Sequence, residues 1–324
     1  MKLGVATACF TYMSLEETLK YLAPFQFECI EPSAGGMLSR THADPELLLA
    51  SSTEFNRYCD LLKRYNTSIS NLKAHGNLVH PNPDIACAHR EDFKRAILLS
   101  EKLGLKYIHN FSGCPGAPDG GKYPNWIVQP FPLEFRDIYE YQWNEVLIPF
   151  WQQMVKFAAD HGIEKIGIEM HPGFSVYNPE SFMKLRNAVG PMISCCFDPA
   201  HLMWQGIDPT VAIRHLGKDA ICHVHAKDCS EDKHNIPLNG RLDAKMYTQT
   251  ATRSWIFRTL GYGHDEKVWR DIFTALTTID YEGVVSIEHD DCMMTTLEGF
   301  EKGYHFLKQI FVKEKASGLW WNHH

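Results

Sequence analysis

Eight times along the chain, a short apolar run is followed by a stretch whose apolar residues recur at helical spacing. The runs are Leu3–Phe10, Phe25–Ile30, Ser68–Ala74, Lys106–Ile108, Lys165–Ile168, Met192–Phe197, Ala220–Ala226 and Gly283–Ile287. Each has the length of a strand, and most are apolar enough for one covered on both faces. Strands that alternate with helices pair in parallel, because each helix carries the chain back to the starting edge. Eight such units predict an α/β fold: a closed (β/α)8 TIM barrel forming a single domain over residues 1–315, with a tail at 316–324. The competing arrangement is an open dinucleotide-binding sheet, but no G-x-G-x-x-G follows the first run.

Local signals place the helices. Ser14 and Glu17 have capping-box spacing before a helix over Leu15–Leu22. Asp44 and Pro45 open a helix predicted to reach Tyr65. Further helices are predicted over His89–Leu103, Ile138–Asp160, from Pro179, from Pro209, over Glu266–Thr278 and over Thr296–Lys313. Two connections, Ser112–Arg136 and Asp228–His264, exceed ordinary loops and are expected to shape a substrate pocket or a homo-oligomer contact.

Composition narrows the function. A net charge of −7 with no Lys/Arg-rich block argues against nucleic-acid binding. The ten cysteines show no C-x-x-C spacing and read as reduced thiols. No signal peptide is visible, and no apolar run approaches the ~20 residues of a membrane span. The expectation is a cytoplasmic protein that acts on a small molecule.

Barrel enzymes assemble their sites where strands end. Seven of the eight predicted strands end at or beside Glu31, His75, His109, Glu169, Asp198, His225 or Glu288. Glu169, Asp198, His225 and Glu288 fall on the fifth to eighth strands, adjacent around a barrel. Three carboxylates and an imidazole suit one divalent metal ion such as Mn, Mg, Co or Zn. The same carboxylates could instead cap helix N-termini. Alternation puts residues 223, 225 and 227 on one inward face, with His225 the expected ligand and His223 the other candidate. Lys227 either holds a substrate oxygen or pairs with Glu31 or Asp228. His201 either binds substrate or a second metal, and His171 shares the face of Glu169. Phe10, Trp143, Trp204 and Trp255 are candidate pocket walls.

Four strings carry a family resemblance: Gly167-Ile168-Glu169-Met170-His171-Pro172-Gly173, Phe197-Asp198-Pro199-Ala200-His201-Leu202, His223-Val224-His225-Ala226-Lys227-Asp228 and Ser286-Ile287-Glu288-His289-Asp290-Asp291. Together they resemble the xylose isomerase-like TIM-barrel superfamily, over essentially the whole chain. The segment Arg253–Asp265 is similar to a loop of its sugar isomerase/epimerase branch.

The resemblance implies one divalent metal held by Glu169, Asp198, His225 and Glu288, with Glu169 and Glu288 also moving protons as catalytic residues. It implies substrate binding by His201. His75, His109, His171, Lys227 and Arg253 complete the expected substrate-binding set, Arg253 standing in for an arginine that ketose epimerases carry soon after the strand-seven histidine. The implied reaction is isomerisation or epimerisation of a sugar, keto-sugar or cyclitol through an enediolate. A lyase or dehydratase acting on a 3-keto-glycoside or inosose would use the same groups. An AP endonuclease with three zinc ions would draw further ligands from His75, His109, His201, Asp232 and His234, against the acidic charge.

Overall fold

The computed structural model describes residues 1–314, 318, 319 and 321. Most of the tail at 316–324, including both terminal histidines, lies outside the described residues. The strands are β1 (Lys2–Ala6), β2 (Cys29–Glu31), β3 (Ser68–Ile69), β4 (Leu72–Lys73), β5 (Tyr107–Phe111), β6 (Lys165–Glu169), β7 (Ile193–Phe197), β8 (Ile221–Ala226), β9 (Asp228–Glu231), β10 (Trp255–Arg258) and β11 (Val284–Ile287).

Nine of them form one parallel sheet in the order β3-β2-β1-β11-β8-β7-β6-β5-β4. Its two ends are successive pieces of the third predicted strand. β3 pairs with β2, and β4 pairs with β5, so one interrupted strand closes the barrel. The chain beyond β2 continues the closure, with a parallel bridge from Ser33 to Lys73. The eight predicted strand positions are therefore all present, in one TIM-barrel domain.

Alternation sorts the side chains. Ile30, Leu72, Ile108, Ile166, Ile168, Val224, Val285 and Ile287 are buried. They alternate with Glu31, Lys73, His109, Gly167, Glu169, His225 and Ser286. The outer helices cover the apolar set with Phe93, Trp151, Phe182, Trp269 and Phe273, all essentially without solvent exposure. Each such side chain stabilises the fold by roughly 1.5–3 kcal/mol, which offsets the desolvation of a polar interior.

The helix signals hold, with adjustments. The Ser14–Glu17 capping box is made. Ser51 caps a new helix, so the predicted 45–65 helix is two, Pro45–Ala50 and Ser52–Arg64. The predicted His89–Leu103 helix starts earlier, at Pro83, behind the Asn82 cap. The predicted Ile138–Asp160 helix begins at Glu134 and is interrupted by a π-helical turn over Gln142–Leu147. There Gln142 is buried and donates to the carbonyls of Pro115, Gly116 and Asn125, holding the long loop before it. The expected loop Asp228–His264 instead contains an antiparallel pair, β9 with β10, and a short helix, Asn235–Asn239. Its strands are only four residues long and lie apart in sequence, so no hairpin signal marks them.

Candidate metal centre

Glu169 ends β6, Asp198 follows β7, His225 lies near the end of β8, and Glu288 follows β11. These strands are consecutive in the sheet, apart from the β10–β9 pair set outside it. One ligand atom from each of the four residues lies within 4.8 Å of the others. Among the described residues, Glu169 Oε2, Asp198 Oδ2 and Glu288 Oε2 are buried without a hydrogen-bond partner. Buried carboxylate oxygens in that state are costly unless a cation completes them. Asp198 serves both readings made of it. Its Oδ1 accepts from the Ala200 amide at 2.8 Å as the cap of a short helix, Pro199–Met203, while Oδ2 is left for the pocket. The donor set fits one hard-to-borderline divalent ion.

His225 faces two ways. Its Nδ1 is 2.7 Å from Glu288 Oε2 and 3.8 Å from Glu169 Oε2, while its Nε2 is 3.0 Å from Glu31 Oε2. His223 lies deeper on the strand, against Glu31 and Ser286 Oγ, and belongs to neither candidate metal set.

Three histidines surround Glu169. His201 Nε2 lies 3.2 Å from Glu169 Oε1 and 3.4 Å from Asp198 Oδ2, and His75 Nε2 lies 3.5 Å from Glu169 Oε2. His171 packs on His201 with ring centres 4.1 Å apart. Burial pushes His75 and His171 down to about 3 and His201 well below the usual range. On this side Glu169 therefore has neutral imidazoles for neighbours, while His225 Nδ1 lies 3.8 Å away on the other.

Glu288 is surrounded differently. Its Oε1 is 3.1 Å from Lys73 Nζ and 3.8 Å from Lys227 Nζ. Burial would raise Glu288, but His225, Lys227 and Lys73 hold it well below the usual carboxylate range. Burial pushes Asp198 the other way, up to about 7, reinforced by Glu169 and Glu288 against the pull of Lys227. Lys227 pairs with Asp290 at 2.6 Å, and with Asp198 and Glu288, not with the expected Glu31 or Asp228. Phe257 covers its ammonium at 4.3 Å.

Two expected substrate contacts lie elsewhere. His109 is fully buried, with Nδ1 2.7 Å from Glu31 Oε1 and 2.8 Å from Asn71 Nδ2. Its ring occupies the space a Cβ on Gly167 would need, 2.4 Å away, so glycine at 167 is what admits it. Arg253 is turned into its own loop. It donates to the carbonyls of Trp255 and Lys245, and its guanidinium lies over the rings of Tyr247 and Trp255.

Of the expected walls, Phe10 packs edge-on against Phe300 in the core, and Trp143 is buried beneath Lys184 and Tyr139. Trp204 and Trp255 stack on each other. The rings beside the histidines are instead Phe111, Phe174 and Phe257. Of the extra endonuclease ligands, Asp232 and His234 stand apart: Asp232 caps the amides of His234 and Asn235, and neither joins a metal-type group among the described residues.

Sequence reasoning missed Lys73 and gave Glu31 no role. A signal existed for Lys73. It lies two residues before His75, so alternation puts both on one face.

These buried rings give a pH prediction for the metal-free chain. His75, His171, His201 and His109 (the last pushed down to about 4 by burial) stay neutral in the fold, whereas the unfolded chain protonates them near pH 6.5. Their contribution is intact above that pH and is lost as pH falls from 6.5 toward 4, by about 1.4 kcal/mol per ring per pH unit. Asp198, His225 and His264 are shifted up and work the opposite way, while His42, His223 and His289, lowered by burial, add to the fall. The thermal midpoint should fall between pH 7 and pH 5; a midpoint that stays level or rises would contradict this.

Comparison with known proteins places these features in a family. Residues 20–310 match the family described as xylose isomerase-like TIM barrel. The chain is 35% identical to an uncharacterized protein, YfiH, of Bacillus subtilis (strain 168), covering 95% of this chain and 99% of that one. The fold is shared with the probable 3-DHS dehydratase AsbF of Bacillus anthracis at 18% identity and a TM-score of 0.66, covering 95% and 99% of the two chains. It is also shared with a D-tagatose 3-epimerase-like protein at 21% identity and a TM-score of 0.62, covering 96% and 98%.

Proposed function

The chain belongs to the xylose isomerase-like TIM barrel family, and from that premise we propose that it is a divalent-metal-dependent isomerase or epimerase of a sugar, keto-sugar or cyclitol. The observation that carries the reading is the convergence of His225 with three carboxylates, each of which keeps one buried oxygen outside any hydrogen bond. When bound, the cation supplies Lewis-acid stabilisation of charge that develops on substrate oxygens. Glu169, Asp198, His225 and Glu288 would hold it.

The remaining work falls to the chain. Glu169, among neutral imidazoles, takes the proton from the carbon next to the carbonyl. His201 and His75 bracket it and orient substrate hydroxyls. Glu288 returns a proton on the other side in an epimerisation. Lys73 and Lys227 lie where oxyanion charge grows and neutralise it. Phe111, Phe174 and Phe257 wall the pocket and exclude water. No helix among the described residues is long and apolar enough to cross a membrane, and the ten cysteines are unpaired, which suits a cytoplasmic enzyme with a small-molecule substrate.

A second reading, a lyase or dehydratase on a 3-keto-glycoside or inosose, is favoured by one asymmetry. Glu169 pairs only with histidine rings among the described residues, His75 and His201 of them neutral, whereas Glu288 stands between two ammonium groups. A base on one side and cationic donors on the other is the provision that loss of a β-leaving group requires. The dehydratase among the similar folds agrees with it. A screen of free sugars, keto-sugars, glycosides and inososes in deuterated water with Mn²⁺ separates the two. Deuterium in recovered substrate and its isomer supports the first reading, and an unsaturated product supports the second. No exchange with any class, or abasic-site cleavage with three zinc ions per chain, would overturn both.

A further inference from the structure

Glu31 ends β2 and is completely buried. Four donors converge on its carboxylate. Asn71 Nδ2 and His109 Nδ1 are each 2.7 Å from Oε1. His225 Nε2 is 3.0 Å and His223 Nε2 is 3.3 Å from Oε2. Glu31, His109, Cys196 and His225 would by type suit a second, softer cation. The lone pairs of Glu31 are already taken by nitrogen donors, however, and among the described residues none of its oxygens is left without a partner. The group is a hydrogen-bonded base beneath the metal centre.

We propose that Glu31 is the positioning residue of that centre: it fixes the proton of His225 on Nε2 and so presents Nδ1 to the cation. The inference rests on the metal-binding reading above. An imidazole with its proton on Nε2 has its lone pair on Nδ1, which here faces Glu288 and Glu169. The ring has no other acceptor of comparable strength near Nε2, Cys196 Sγ lying 3.5 Å away. The same carboxylate holds His109 and His223, so the ring of His225 is braced between packed imidazoles and cannot flip without breaking several bonds. A carboxylate behind a ligand histidine also strengthens the donor and typically changes metal affinity 10–100-fold.

The test uses full-length protein labelled with ¹⁵N at histidine and loaded with ¹¹³Cd²⁺. The expected result is scalar coupling between cadmium and His225 Nδ1, with a slowly exchanging proton on Nε2. Glu31→Gln should bind Cd²⁺ 10–100-fold more weakly in calorimetry and lose the protected Nε2 proton. Cadmium bound through Nε2, or unchanged affinity and unchanged proton protection in folded Glu31→Gln, overturns the assignment while leaving the metal reading standing. Absence of any Cd²⁺ binding by the unmutated protein removes both. If Glu31→Gln does not fold, the coupling pattern of the unmutated protein decides alone.

Discussion

Glu288→Gln is expected to slow turnover by about 10²–10⁴-fold and to weaken divalent-cation binding. It should also destabilise the metal-free protein by about 3–5 kcal/mol, because Lys73 loses the partner of a buried ammonium. Glu169→Gln should lose as much activity with a smaller stability loss, since histidine rings and no ammonium group pair with it among the described residues. Adding Lys73→Met to Glu288→Gln removes the stranded charge and should recover most of the stability without the activity. Thermal melts and exchange rates on the four proteins check the set. Equal stability losses for the two single variants would show that the flanking charges are not as assigned, and an active Glu288→Gln would refute its role.

Asp228→Ala is expected to cost about 3–5 kcal/mol, on the order of 5–10 °C in thermal midpoint. The carboxylate is fully buried at the start of β9 and accepts from the amides of Cys229, Gly261, Gly263 and His264, and from the His264 ring. It clamps the chain after β10 onto the chain after β8. Gly263 belongs to the same clamp, since a Cβ there would lie 2.0 Å from the Cys229 carbonyl oxygen. Asp228→Asn retains one acceptor and should lose less. Denaturant melts of both variants measure it, and an alanine variant as stable as the parent would mean that those amides find other partners.

The strand count was readable because outward faces are made of Val, Ile and Leu in short runs, and seven of the eight runs end at or beside a Glu, Asp or His. The four expected ligands were readable for the same reason, since one residue per strand end is a local signal. Parity along β8 gave His223 and His225 the same face, and the position of His225 nearer the strand end separated them. What sequence could not supply was depth. His75 and His109 were both expected at strand ends, yet His109 lies in the middle of β5, level with Lys73 and two residues deeper than His75, so the first meets Glu169 and the second meets Glu31. Lys227 follows the end of β8, and the side chains serving it, Asp290 and Phe257, come from a loop and from the unexpected β10, a meeting that no single stretch of sequence encodes. Arg253 was expected to contact substrate, but its own loop carbonyls and rings lie nearer.

The interrupted third strand gives the barrel a seam. Backbone pairing on either side of it is only two residues long, between β2 and β3 and between β4 and β5. Asn71, one of the two residues at the break, turns its amide inward and donates to Glu31 of one flank, whose carboxylate in turn accepts from His109 of the other. Two residues on, Lys73 reaches across the interior to Glu288. The cylinder is thus stitched shut from within by side chains that also support the candidate metal centre. Loosening the stitch would disturb that cluster and the circumference of the fold together, so in this protein the two cannot vary independently.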